Sequence, residues 1–145
     1  MTRFASLSAL SLLLLVVLVM SSCGNGRRLQ SVTISPASAD AKNYPNGQVP
    51  FIATGTFSKP PSPVQLTSKD VLWCYGGSAS VANPTAGLCA GNIAQFATVD
   101  QNGVAQCAPS FQGTAYILAG TAEPSMNPDA GLVLKIFGQA TLTCP

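Results

Sequence analysis

The segment Phe96-Ala-Thr-Val-Asp-Gln-Asn-Gly-Val-Ala-Gln-Cys107 constrains the fold more than any other stretch. It joins two short apolar runs through Asn102-Gly103. Asn-Gly in that setting is the strongest short-range hairpin signal, because both residues tolerate the positive φ of a tight turn. Runs of strand character flank it on both sides, so the reading grows outward from one hairpin.

Leu29–Pro36 alternates, with Val32 and Ile34 on one face and Ser31, Thr33 and Ser35 on the other. Pro36 ends that run or marks an edge strand. After the turn cluster Asn43–Gly47, residues Gln48–Phe57 alternate again, with Val49, Phe51, Ala53, Gly55 and Phe57 on the inward face. Ser58–Pro63 is a stiff proline-rich connection. Lys69–Tyr75 is a strand in which Val71 and Trp73 share the core face. Gly76–Asn92 and Glu123–Gly131 are long loops without a period. Strands follow over Ile93–Val99, Gly103–Ala108, Gly113–Ala119 and Leu132–Cys144, the last one long strand or two bent at Gly138. No helical period appears after the N-terminal apolar run. The pattern predicts an all-β antiparallel sandwich or barrel of about seven strands.

With 145 residues the chain suits one domain. Charged residues are only 8% of it, against about 25% in an average soluble domain. The net charge of +2 falls to +1 without Arg3, too little to steer nucleic acid. There is no histidine, which disfavours metal sites and general acid–base catalysis. Neither a Gly-x-Ser-x-Gly elbow nor a Ser-x-x-Lys motif is present. No enzymatic activity and no cofactor are expected.

The N-terminus reads as an export signal. Arg3 is followed by the mostly apolar run Leu7–Met20, the length of a signal h-region and short of the roughly 20 residues that span a bilayer. Met20-Ser21-Ser22-Cys23-Gly24 resembles the lipobox of bacterial lipoproteins, with Met20 where Leu is usual. That resemblance implies a cleaved signal peptide over residues 1–22, a lipid on Cys23 and a membrane anchor. Gly24 in place of Asp implies sorting to the outer membrane, on its periplasmic or surface side. The alternative is an ordinary signal peptide with Cys23 left as a free thiol. Residues 23–28 read as a short flexible tether. Arg27 and Arg28 could touch anionic headgroups beside the anchor, each worth about 1 kcal/mol, but the favoured reading is of solvated linker charges. Residues 29–145 form the domain.

Val32-Thr-Ile-Ser-Pro-Ala37, Gly47-Gln48 leading to Ala53, Val71-Leu-Trp73, Ala97–Val104, Gly113-Thr-Ala115 and Ala140–Thr143 together resemble the bacterial Ig-like domain, group 2, of intimin- and invasin-type surface proteins. The resemblance covers Leu29–Cys144 apart from the two long loops. It implies an Ig-like β-sandwich in a rigid extracytoplasmic module used for spacing, adhesion or ligand presentation. It carries over no catalytic residues.

Apart from Cys23, four cysteines remain in an exported chain: Cys74, Cys89, Cys107 and Cys144. They read as two disulfides with three possible connectivities. Alternation favours Cys74–Cys89 as a clip across the Gly-rich loop, and Cys107–Cys144 as a staple between inward-facing positions. A zinc tetrathiolate is the rival, but it usually places cysteines two to four residues apart. Asp100-Gln-Asn-Gly103 reads as an Asx-stabilised turn rather than a calcium loop. Trp73 is assigned to the core. The expected role is a non-catalytic envelope binding, adhesion or structural module, with an envelope protein or a glycan as partner. A carbohydrate-binding module would cluster Tyr44, Tyr75 and Tyr116 on one open face. An accessory subunit would expose an apolar patch around Tyr116 and Leu118. The loops Gly76–Asn92 and Glu123–Gly131 are the expected binding surface.

Overall fold

The computed structural model describes residues 26–78, 87–89, 96–122 and 132–145. The signal segment, the proposed lipidation site Cys23 and the greater part of both long loops lie outside these.

The fold is almost entirely β. β1 (Leu29–Ser35) and β2 (Ser38–Asp40) are followed by two short 3-10 turns and β3 (Gln48–Pro50). β4 (Ile52–Phe57), β5 (Val64–Gln65), β6 (Leu72–Ser78) and β7 (Ala97–Val99) come next. β8 (Val104–Cys107), β9 (Gly113–Ala122) and β10 (Leu134–Cys144) complete the order. They form three sheets, ordered β1-β4-β5, β2-β10-β9-β6 and β3-β8-β7. All pairings are antiparallel except β2 on β10.

β3 and β4 are one run of chain interrupted at Phe51, where Pro50 removes a backbone donor. Across that residue the strand changes partner from β8 to β1 and β5. Bonds from Phe51 N to the Gly103 carbonyl and from Leu66 N to the Ala53 carbonyl, 2.9 and 2.8 Å, keep this edge continuous. The two three-stranded sheets are therefore joined through a kinked strand.

The main core lies between them and the four-stranded sheet. Val32 and Ile34 from β1, Val49, Phe51 and Ala53, Ala97 and Ala105 meet Tyr75, Ala115, Ile117, Ala119, Ala140 and Leu142. Alternation placed most of these correctly. Many core positions are alanine, which lets the layers approach closely. Gly138 takes this furthest: a Cβ there would lie 2.6 Å from the Val32 carbonyl oxygen. β10 is accordingly one continuous strand rather than two.

A second, smaller core sits on the other face of the four-stranded sheet, made of Cys89, Leu118 and Leu134 with Cys74 and Phe137 against it. Leu118, which the accessory-subunit reading would place in an exposed patch, is 0% exposed. What covers it is a short ladder between the roots of the two long loops. Leu88 bridges Val133, Cys89 N donates to the Leu132 carbonyl, and Leu134 N donates to that of Gly87, both at 2.9 Å.

The expected hairpin is β7–β8, with a different turn. Asp100 Oδ1 accepts from Asn102 N and Val104 N, both at 2.8 Å, and Gly103 N donates to the Asp100 carbonyl. Only Gly103 has positive φ (+82°), so this is an Asx-braced turn with one left-handed glycine. The pair with two positive φ values is instead Asn46-Gly47, 56° and 67°, before β3.

Candidate functional site

Both disulfides are internal to the fold. Cys74 joins Cys89 and Cys107 joins Cys144, with Cα separations of 5.6 and 5.7 Å, the pairs that alternation favours. Cys74 does turn away from Trp73, but into the second core rather than toward solvent. With all four thiols in bridges, no tetrathiolate site exists. Among the described residues there is no cluster of three potential metal ligands.

The tyrosines do not make one platform. Tyr75 is 8% exposed and stands edge-on to Phe96, which in turn meets Phe111. Strand alternation already carried this signal, since Tyr75 shares a face with Val71 and Trp73. Tyr44 lines a separate groove of about 290 Å³ with Lys42, Gln106 and Pro145. Lys42 is paired there with Asp40 at 3.0 Å. Tyr116 is partly buried on the outer face of β9.

A second groove, of about 280 Å³, lies beside Trp73. Its floor is the kinked segment Pro50–Ala53, where Ile52 is 46% exposed. One wall is the turn after β5. Asp70 Oδ2 accepts from Thr67 N and from Thr67 Oγ1 at 2.9 and 2.8 Å, which sets Thr67 and Ser68 on the rim. Those bonds, the Thr67 amide first, hold the Asp70 carboxyl below its usual 3.8, with Arg27 and Lys69 adding weaker attraction. The opposite wall is the hairpin tip, Gln101 and Asn102, braced by Asp100. Trp73 is only half-buried. Its six-membered ring packs over Gly103, where a Cβ would lie 2.7 Å from Cζ2, while the side chain still lines the groove. Expecting Trp73 in the core captured one of its two roles.

Chemically this groove offers an indole, an exposed aliphatic side chain, amides and hydroxyls, and no charged side chain. Such a lining can stack and hydrogen-bond an uncharged polar ligand. It was missed in sequence because its residues come from four separate turns and strands.

At the N-terminal end the structure departs from a free tether. The Arg27 guanidinium stacks on the Phe57 ring, 3.5 Å from its centroid, and donates to the Pro61 carbonyl. Arg28 N donates to Ser58 Oγ at 3.0 Å, and Ser58 N returns a bond to the Arg28 carbonyl at 2.9 Å. Both arginines are thus tied to the domain, because the end of β4 presents the face of the Phe57 ring and the proline-rich loop after it presents a carbonyl and a hydroxyl beside the incoming chain. Of the expected binding loops, all of Glu123–Gly131 and most of Gly76–Asn92 lie outside the described residues. Comparison of the chain with protein-family models, curated proteins and solved structures found no match.

Proposed function

We propose that this chain is an exported, lipid-anchored, Ig-like β-sandwich of the cell envelope that binds a partner without catalysing a reaction, through the groove beside Trp73. The strand order supports the Ig-like reading. A four-stranded sheet β2-β10-β9-β6 faces a second layer in which β1, the kinked β4–β3 strand, β8 and β7 follow in turn. β1 and β2 are consecutive stretches that divide between the layers, and β2 lies parallel to the last strand. Two facing layers of mostly antiparallel strands are what an Ig-like sandwich requires. The observation that carries the binding reading is the groove itself, a set of stacking and hydrogen-bonding groups with no titratable side chain among them. A glycan is the second reading, favoured by the half-buried Trp73 beside Gln101 and Asn102, the arrangement that saccharide rings and hydroxyls suit.

The test is photo-cross-linking in cells from position 101, with Thr143 as a control on an exposed position of β10. Capture of one envelope protein or of glycan from position 101 alone is the expected result. Equal capture from both positions would remove the groove from consideration. Mass spectrometry of the N-terminal peptide and release of a Cys23→Ser variant from the membrane test the anchor separately.

A further inference from the structure

Four of the cationic residues after Cys23 gather where the chain enters the fold. Arg27 stacks on Phe57 and reaches Pro61, and Arg28 is held by Ser58, so Lys59 lies in the loop that grips both. Lys69 and Arg27 both act through space on Asp70. Among the described residues Asp70 is the one carboxylate placed among these cations, and its oxygen is engaged by Thr67. Lys59 and Lys69 are both exposed. The remaining lysine on an early element, Lys42, lies beyond the far end of β1 and is paired with Asp40.

The chain between Cys23 and this cluster is short. Four residues from Cys23 to Arg27 span at most about 14 Å fully extended. A lipid on Cys23 would therefore hold Arg27 within about 14 Å of the headgroups, under two Debye lengths of about 8 Å in physiological salt. Bonds to the Ser58–Pro63 loop make Arg27 and Arg28 part of the domain surface rather than of the tether.

We infer that the Arg27–Arg28–Lys59–Lys69 end of the domain seats on an anionic lipid surface, fixing the orientation of the whole module at the membrane. This rests on the anchored reading above and adds a second contact to it. Lipid and cations then act together, the two-signal arrangement that makes membrane attachment stable.

Amine labelling of the lipidated protein in vesicles tests it, with Lys42 as the internal reference. On vesicles containing about one-third anionic lipid, labelling of Lys59 and Lys69 relative to Lys42 should fall about threefold or more. High salt should restore it, as screening requires. Arg28→Glu should weaken the protection, since it reverses a charge while its backbone bonds to Ser58 remain. Equal ratios on anionic and zwitterionic vesicles, or protection indifferent to salt, would overturn the proposal. So would the same protection produced by inorganic phosphate without vesicles. The mass of the N-terminal peptide, read in the same experiment, reports whether Cys23 carries lipid. A missing lipid and a missing electrostatic contact therefore give different results.

Discussion

Gly138 shows how one residue without a side chain can set the spacing of two layers. The β1 backbone passes so close that a Cβ at 138 would meet the Val32 carbonyl oxygen at 2.6 Å and Ile34 Cγ1 at 3.3 Å. A backbone carbonyl cannot step aside as a flexible side chain can. Gly138→Ala should therefore destabilise the domain by about 2 to 3 kcal/mol, read as a lowered urea midpoint with an unchanged slope. Asp70 gives a pH signature instead. Its pKa is depressed in the folded state, so its contribution is present above the usual 3.8 and is lost as pH falls through the lowered value. The gap in melting temperature between the natural chain and Asp70→Ala should be widest near neutral pH and close in acid. Asp40, held down first by the hydrogen bond from the Lys42 side chain, follows the same sign. Asp70 is exposed and Asp40 only partly buried, so these effects are small.

Among elements, the long strands and the β7–β8 hairpin with its turn residues were readable, whereas β2 and β5 were not. β9 and β10 have enough residues for alternation to declare itself, as does the Gln48–Phe57 run, where every expected inward residue is buried or partly buried. β2 and β5 have three and two residues, too few for any period, and exist because a neighbouring strand offers them a ladder. Outer-face burial was illegible for a related reason. Alternation assigns Leu118 to a face, but whether that face meets water depends on chain arriving from far away in sequence. The groove beside Trp73 has the same character, since Gln65, Trp73 and Gln101 meet only through the kink at Phe51. The bridges differ in what they restrain. With separations of 15 and 37 residues, loop entropy assigns about 3 kcal/mol to Cys74–Cys89 and about 4 kcal/mol to Cys107–Cys144. Replacing the second pair by alanine should lower the melting temperature more than replacing the first, as calorimetry of the two double variants would show.

Over the whole molecule, charge and shape are separated. Cations collect where the chain enters, while the uncharged groove is built from the kink, the β5–β6 turn and the hairpin tip. The sequence leaves the two arginines either touching headgroups or standing as solvated linker charges; their bonds to Ser58 and Pro61 come from a loop distant in sequence and so were not legible there. The bridges have a further consequence. Residues 75–88 lie inside one covalent ring and residues 108–143 inside the other, and these enclose most of Gly76–Asn92 and all of Glu123–Gly131. A protease that severs the backbone anywhere within those spans leaves a molecule still in one piece, its halves parting only when the cystines are reduced.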